Sequence, residues 1–295
     1  MKLKFYTLDV FTNRKFSGNQ LAVVLGADHL STEQMQTITK EFNLSETTFV
    51  MKPDDPTNTA KMRIFFPGGE MPFAGHPTLG TAVLLGELLN LTEIRFELKA
   101  GLTPVKLSPH GAGIFTAPVV PFHVDVKLPN IEDTARALNL EPSDIGFDNH
   151  TLAMLQGGPS FFYVPVKTRA ALEKSQVRQP YWENLLAPLG GSTDAAYIYT
   201  RGGDAAQTSF RARMYAPSGG IPEDPATGSA TALLAAQLLK AEQPKDGTHV
   251  WHLEQGYEMG RPSDLQLEAD IESGKLKAVR VGGQAVRVMS GEIEL

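Results

Sequence analysis

An internal repeat is the feature of this sequence that most constrains its fold. Residues 63–89 and 213–239, compared without gaps, are identical at nine of 27 positions, where average composition predicts roughly two. Each copy has the pattern of a short apolar strand, a loop rich in Pro and Gly, and a helix. Two copies of such a unit predict two similar domains related by pseudo-symmetry. The identical pairs are Arg63 and Arg213, Pro67 and Pro217, Gly69 and Gly219, Pro72 and Pro222, Thr81 and Thr231, Ala82 and Ala232, Leu84 and Leu234, Leu88 and Leu238, and Leu89 and Leu239.

The helix of each copy is apolar on nearly every side, from Pro77 to Asn90 in the first copy and from about Ala226 to Lys240 in the second. A helix without a polar face is a buried helix, so strands must surround it. We therefore predict an α+β fold of two pseudo-symmetric domains, each a barrel-like sheet wrapped around a central helix. A capping box at residues 31–34 predicts a further, outer helix that ends near Phe42.

A Pro-marked stretch, residues 116–121, lies between the two copies and is typical of a linker. It predicts a first domain over residues 1–118 and a second over residues 122–283. The segments that flank the repeat also resemble each other: residues 44–50 resemble residues 192–198, so that Glu46 aligns with Asp194. The cleft between two such domains is a natural place for a small-molecule site.

Composition and charge exclude several classes of protein. Hydrophobic residues make up 42% and charged residues 20% of the 295 positions, which is an ordinary balance for a chain with a packed core. The net charge of −6 argues against a nucleic-acid partner. Because cysteine is absent, disulfides, thiolate metal ligands and cysteine-based catalysis are excluded. No apolar run approaches the roughly 18 residues of a membrane span, and the N-terminus lacks a signal-peptide pattern. We expect a cytoplasmic protein that does not bind membranes.

The loops that open the two buried helices are the first candidate for a functional site. Pro77 and Pro225 suit the first position of a helix, and the unpaired N–H groups of a helix start attract an anion, together with the helix dipole. Two such starts that face one cleft would suit a small carboxylic acid, or an enolate formed from it. The loops are Gly75-His76-Pro77-Thr78-Leu79-Gly80 and Glu223-Asp224-Pro225-Ala226-Thr227-Gly228-Ser229.

Three titratable residues near these loops each have two interpretations. Glu46 precedes an apolar run, where a carboxylate has a raised pKa and can act as a general acid or base; local sequence alone favours a solvated charge at a strand end. His76, at a loop–helix junction, is either a neutral hydrogen-bonding residue or a catalytic one. Asp224 precedes Pro225 as a helix N-cap would, and a cap can also contact substrate.

Other catalytic and metal motifs are not present in the sequence. His249 and His252 are three residues apart in a predicted strand, which places their rings on opposite faces, so we predict no metal site. The sequence contains no phosphate-binding loop of NTPases, no dinucleotide-binding Gly motif and no Gly-x-Ser-x-Gly nucleophile turn.

With these motifs taken together, the sequence resembles the phenazine-biosynthesis PhzF-like family, which is related in fold to diaminopimelate epimerase. The resemblance covers nearly the whole chain. Gln20 stands where the family often has Pro. The motifs that carry the resemblance are Asp9-Val10-Phe11-Thr12, Phe16-Ser17-Gly18-Asn19-Gln20-Leu21-Ala22-Val23, Ser45-Glu46-Thr47-Thr48-Phe49-Val50, Gly75-His76-Pro77-Thr78, Glu223-Asp224-Pro225-Ala226-Thr227-Gly228-Ser229-Ala230, Gln255-Gly256 and Gly260-Arg261-Pro262-Ser263.

The resemblance implies an active site between the domains, a C-terminal strand at about residues 284–295 that completes the first domain, and a homodimer. It implies that Glu46 is the acid/base and that His76 and Asp224 assist it. It implies neither a metal nor an organic cofactor. Since the related racemases use two cysteines, the resemblance does not extend to two-thiol racemisation. The residues expected to bind substrate are Gly75, Pro77, Thr78, Gly228 and Ser229.

Two hypotheses about function follow. The first is a cofactor-independent isomerase that moves a proton in a small, cyclic or unsaturated carboxylic acid by carboxylate acid/base catalysis in the interdomain cleft. The second is a non-catalytic protein of the same fold that binds a metabolite or a partner. The joint presence of Glu46, His76 and Asp224 favours the enzyme.

Overall fold

Residues 2–189, 193 and 195–295 are described by the structure, a computed structural model. Asp194, which the repeat aligns with Glu46, lies outside the described residues. The helices are α1 (Thr32–Phe42), α2 (Gly75–Leu89), α3 (Ile131–Ala137), α4 (Arg169–Lys174), α5 (Tyr181–Leu186) and α6 (Gly228–Glu242). The strands are β1 (Lys2–Val10), β2 (Asn19–Leu25), β3 (Glu46–Met51), β4 (Ala60–Phe66), β5 (Gly69–Met71), β6 (Glu93–Leu98), β7 (Gly101–Ser108), β8 (Ala112–Thr116), β9 (Phe122–His123), β10 (Ala153–Gln156), β11 (Ser160–Pro165), β12 (Ala196–Arg201), β13 (Phe210–Ala216), β14 (Ile221–Asp224), β15 (Gly247–Gln255), β16 (Ser263–Glu272) and β17 (Lys275–Glu294).

The strands of the first half close into a ring around α2. Strand β1 pairs with β2, β2 runs parallel to β3, β3 pairs with β4, and β4 runs parallel to β6. Strands β6, β7 and β8 form an antiparallel meander, and β17 joins β8 back to β1. Closing the ring gives each of these strands a partner on both sides, and the apolar inner face of the ring surrounds the helix. The predicted α+β class, with barrel-like sheets around central helices, is confirmed.

The second half repeats this strand order around α6. Strand β10 pairs with β11, β11 runs parallel to β12, β12 pairs with β13, and β13 runs parallel to β15. Strands β15, β16 and the first part of β17 complete the meander. The long strand β17 therefore serves both halves: residues 275–282 pair with β16, and residues 285–294 pair with β1. We propose the two ring-like sets as the domains predicted from the sequence.

The two central helices are buried as predicted, but both begin at other residues. Helix α2 begins at Gly75, so Pro77 is its third residue and not its first. Helix α6 begins at Gly228, so Pro225 precedes the helix and belongs to the loop. The outer helix α1 is confirmed, because Ser31 and Gln34 form both hydrogen bonds of the capping box and the helix ends at Phe42.

The number of residues that separates equivalent positions in the two copies changes along the chain. Arg63 on β4 forms a bidentate ion pair with Glu70, and Arg213 on β13 forms the same pair with Glu223. The arginines are 150 residues apart, whereas the glutamates and the helix starts are 153 apart. The added residues lie in the bulged connection between β13 and β14. Identities that the ungapped comparison finds beyond this loop are therefore three residues out of structural register.

In the part of the chain that the structure describes, no helix combines the length and the apolar sequence that crossing a membrane requires.

The packing of α2 against β1 and β2 is tested by Gly80→Ala. Alanine is more favourable than glycine inside a helix by about 1 kcal/mol where space allows. At Gly80, an added Cβ would lie 2.6 Å from Val10 Cγ2 and 2.7 Å from Leu21 Cδ2. We therefore expect the free energy of unfolding to fall by about 1–3 kcal/mol, as measured by urea denaturation.

Gly69→Ala is the control for this variant. The nearest atom to an added Cβ at Gly69 is a ring carbon of Phe66 at 3.6 Å, so we expect a change within about 0.5 kcal/mol. Equal or greater stability of Gly80→Ala would contradict the tight contact between α2 and its barrel.

Candidate active site

The N-termini of the two central helices meet where the halves of the chain join. A Cβ added to Gly75 would lie 3.1 Å from backbone carbons of Gly228, and a Cβ added to Gly228 would lie 3.4 Å from Gly75 Cα. The rings of Phe115 and Phe11 lie 3.0 Å from these two Cβ positions. Glycine is thus favoured at both helix starts, because a Cβ atom at either would crowd its neighbours. The first-turn N–H groups, which have no partner within a helix, converge on one region.

A cavity of about 520 Å³ opens beside this contact and is bounded by both halves. Its walls are mainly apolar, and its titratable lining groups are Glu46, His76 and Asp224. Of the residues predicted to bind substrate, Gly75, Gly228 and Ser229 line the cavity. The other lining residues are Phe66, Met71, Phe73, Ala74, Pro159, Ser160, Phe161, Thr193, Ala195, Met214, Ala216, Ile221 and Thr227.

Pro77 and Thr78, also predicted to bind substrate, are buried within α2 and are not among the residues that line this cavity. The hydroxyl of Thr78 donates a hydrogen bond to the carbonyl of Ala74, at 2.7 Å. These two residues therefore shape the helix start, and substrate contact by them stays a prediction.

Glu46 is the first residue of β3, and its carboxyl group faces the cavity with only 9% of the side chain exposed. This burial corrects the local interpretation of a solvated charge. Its Oε2 atom has no hydrogen-bond partner of good geometry. Burial, followed by the nearby negative charge of Asp224, raises the pKa of Glu46 well above its ordinary value. A carboxyl group with a raised pKa is a stronger base when ionised, which suits an acid/base catalyst.

His76 is the second residue of α2, and its Nε2 atom lies 3.0 Å from Glu46 Oε2. Burial lowers the pKa of His76 to about 3, so the ring is neutral at physiological pH. This agrees with the neutral role predicted from its place at a helix start. A neutral imidazole beside a carboxyl group can donate or accept a hydrogen bond without adding charge to an apolar site.

Asp224 ends β14 and is not the N-cap that its spacing suggested. The N-cap of α6 is Thr227, whose side chain instead donates a hydrogen bond to Asp224 Oδ2. Asp224 Oδ1 accepts a second hydrogen bond, from Asn19 Nδ2 at 2.8 Å. Burial raises the pKa of Asp224 to about 6, while these two hydrogen bonds oppose the rise. Asp224 is therefore mostly ionised at pH 7.

Three polar residues around Asp224 were not predicted from the sequence as site residues. They are Asn19, Thr227 and Gln255, all buried. The side chain of Gln255 donates to the carbonyl of Asp224 at 2.8 Å and accepts from the N–H of Thr227 at 3.1 Å. Asn19 and Gln255 lie in motifs that carry the family resemblance, and these motifs were the available signal. Their contacts join residues far apart in the chain, which spacing does not reveal.

In the described part of the chain, no cluster of three or more His, Asp or Glu side chains is placed to hold a metal ion. His249, on the exposed strand β15, contacts the carbonyl of Lys245 at 2.7 Å and stacks on Trp251. The site itself combines a carboxyl group of raised pKa, a neutral imidazole and an ionised carboxylate. Such a set is suited to proton transfer.

The chain is similar to known proteins along its whole length. A protein of Mesorhizobium japonicum named as an uncharacterized isomerase is 39% identical, over 99% of both chains. The trans-2,3-dihydro-3-hydroxyanthranilate isomerase of Pseudomonas aeruginosa is 32% identical, also over 99% of both. The crystal structure of a phenazine biosynthesis protein of the PhzF family from Bacillus anthracis superposes with a TM-score of 0.89, at 25% identity over the whole of both chains.

The family model described as "Phenazine biosynthesis-like protein" matches residues 8–291. The names of the relatives confirm the predicted isomerase class. The match of nearly the whole chain to the family model, together with relatives above 30% identity, shows that this chain belongs to the phenazine biosynthesis-like, or PhzF, family.

Proposed function

We propose that this protein is a cofactor-independent isomerase that moves a proton within a small, cyclic or unsaturated carboxylic acid. The observation that carries the proposal is the position of the Glu46 carboxyl group, buried in an apolar cavity and 3.0 Å from a neutral His76. A group that must take a proton from carbon needs a high pKa and exclusion of water. The burial of Glu46 beside an apolar cavity supports both conditions.

In the proposed reaction, ionised Glu46 removes a proton from a carbon of the unsaturated acid. The electron pair left behind delocalises toward the substrate carboxylate, and the first-turn N–H groups of α2 and α6 stabilise the negative charge that develops there. Protonated Glu46 then returns the proton to another carbon of the same system. Neutral His76 lies beside Oε2 of Glu46, the carboxyl group that carries the proton. The negative charge of Asp224 makes Glu46 a stronger base.

The cavity walls suit a small ring better than an extended chain. Aromatic and aliphatic side chains from both halves face each other across the cavity, among them Phe73, Phe161 and Met214. Among the described residues, its lining has no Lys or Arg side chain, so helix N–H groups and the hydroxyls of Ser160 and Ser229 are candidate donors for the carboxylate. The substrate named for the Pseudomonas relative, trans-2,3-dihydro-3-hydroxyanthranilate, is the first compound to test.

The homodimer and the cytoplasmic location stay predictions, as does binding of a carboxylate ligand. Size-exclusion chromatography with light scattering measures the molar mass in solution and so tests the homodimer.

Glu46→Gln tests the assigned acid/base. We expect loss of turnover by about 10²-fold or more, because the amide cannot carry the proton. The measurement is ¹H NMR in D₂O with trans-2,3-dihydro-3-hydroxyanthranilate and a panel of cyclic and unsaturated carboxylic acids. Turnover appears as exchange of a carbon-bound proton.

Glu41→Gln, an exposed change of the same kind on α1, is the matched control and should retain wild-type activity. Exchange by Glu46→Gln at the wild-type rate would refute the mechanism. Binding of an acid by the wild type, without exchange in any compound of the panel, would instead support a non-catalytic protein.

The raised pKa of Glu46 also predicts how stability depends on pH. Below pH 4.5, the ordinary value, Glu46 is protonated in both the folded and the unfolded chain. As pH rises above it, the unfolded chain releases the proton more readily than the folded one, so the wild type loses stability. Glu46→Gln has no such proton. The melting temperature of the variant, relative to wild type, should therefore rise between pH 4 and pH 8.

Differential scanning calorimetry at a series of pH values measures this trend, with Glu41→Gln measured alongside as the exposed control. A constant difference between Glu46→Gln and wild type across the series would mean that Glu46 is not held at a raised pKa.

A further inference from the structure

Asn19, a fully buried residue, connects the catalytic groups of the two halves without lining the cavity. It is the first residue of β2. Its Nδ2 atom lies 2.8 Å from Asp224 Oδ1, 2.9 Å from the carbonyl oxygen of Ala226 and 3.2 Å from His76 Nδ1. One uncharged group thus contacts the assisting residue of each half and the loop that leads into α6.

The chemistry of the amide suits this position. An amide nitrogen carries two hydrogens and does not titrate, so it donates to Asp224 at every pH. A hydrogen bond to the charged form of a carboxyl group stabilises that form. Asn19 therefore favours ionised Asp224, whose charge in turn disfavours ionisation of Glu46. In the tautomer that carries its hydrogen on Nε2, His76 Nδ1 accepts from Asn19, and this hydrogen bond orients the ring whose other nitrogen faces Glu46.

Hydrogen bonds from Arg261, in the second half of the chain, fix the segment of the first half that precedes Asn19. The guanidinium of Arg261 donates to Asp9 Oδ1 at 2.6 Å, to the carbonyl of Ser17 at 2.6 Å and to the carbonyl of Gly18 at 2.7 Å. Gly18 adopts a φ of +65°, and a Cβ there would lie 2.3 Å from the carbonyl oxygen of Val10. The backbone on the N-terminal side of Asn19 is therefore fixed, which preorganises its side chain.

We propose that Asn19 is a positioning residue that holds Asp224 in its ionised form and orients His76, so that Glu46 is the carboxyl group that exchanges a proton with the substrate. The proposal deepens the proposed isomerase function and rests on it for the role of Glu46. Among the described residues, the titratable groups that face or neighbour Asp224 include Glu46 on β3, His76 on α2, Tyr197 on β12 and Glu223 on β14. Asn19 differs from all of them in that its contribution does not change with pH.

Asn19→Leu removes the donor and adds no titratable group. With ¹³C-labelled Asp and Glu carboxyl groups, NMR titration gives the midpoints of Asp224 and Glu46, assigned by Asp224→Asn and Glu46→Gln. We expect the Asp224 midpoint to move to higher pH in Asn19→Leu, because its charged form loses a hydrogen bond. We expect kcat to fall by about ten- to a hundredfold, as for loss of a hydrogen bond to a charged group, with KM little changed.

Asn13→Leu, an exposed change in the loop that precedes β2, is the matched control and should leave both titrations and kcat as in wild type. An unchanged Asp224 midpoint in folded Asn19→Leu would overturn the proposal. The titration needs no substrate, so it tests Asn19 even if Glu46→Gln proves fully active. A shifted Asp224 midpoint with no change in kcat would show that Asn19 affects the ionisation of Asp224, but it would refute a role of Asn19 in the reaction.

A measurement on the wild type tests the proposal if Asn19→Leu does not fold. The side-chain amide protons of Asn19, observed in ¹⁵N-labelled protein, should move with pH at the same midpoint as the Asp224 carboxyl. Amide shifts that stay constant while Asp224 titrates would show that the two groups are not coupled, and would overturn the proposal.

Discussion

The contact between Gly75 and Gly228 is the constraint on which the rest of the structure depends. Two buried helices meet end to end, and the backbone of one lies where a side chain of the other would be. This approach joins the two barrels and aims both helix starts at one cavity. The positive ends of two helix dipoles would repel each other without an anion nearby. The ionised Asp224, held beside both helix starts, supplies negative charge in the resting site.

The same cavity shows why stability and function oppose each other here. Two carboxyl groups and an imidazole are buried in apolar surroundings, which disfavours the charged form of each. A chain selected for stability alone would place apolar groups at these positions. Asn19, Thr227 and Gln255 satisfy Asp224 with hydrogen bonds, whereas the contact of Glu46 Oε2 is with His76 Nε2.

The agreement between sequence and structure is best where the signal is local. The capping box of Ser31 and the apolar helices predicted their elements, because short-range hydrogen bonding and burial determine them. The starts of the helices were less well predicted. Pro77 and Pro225 suggested themselves as first helical residues, but each helix begins at a glycine, where the two helices approach closely. The ungapped repeat lost its register at the connection between β13 and β14, since a bulge adds residues there without changing the packing.

The sequence by itself determined that the chain forms two similar units, each around a buried helix, and that thiol chemistry is excluded. It also contained the motifs of Glu46, His76 and Asp224, whose roles came from resemblance. The tertiary structure alone decided that these residues, up to 178 positions apart, share one cavity, and that Asp224 accepts hydrogen bonds from Asn19 and Thr227 instead of capping α6. The physical reason is that a pKa depends on burial and on neighbouring charges, and both arise only when the two halves pack together.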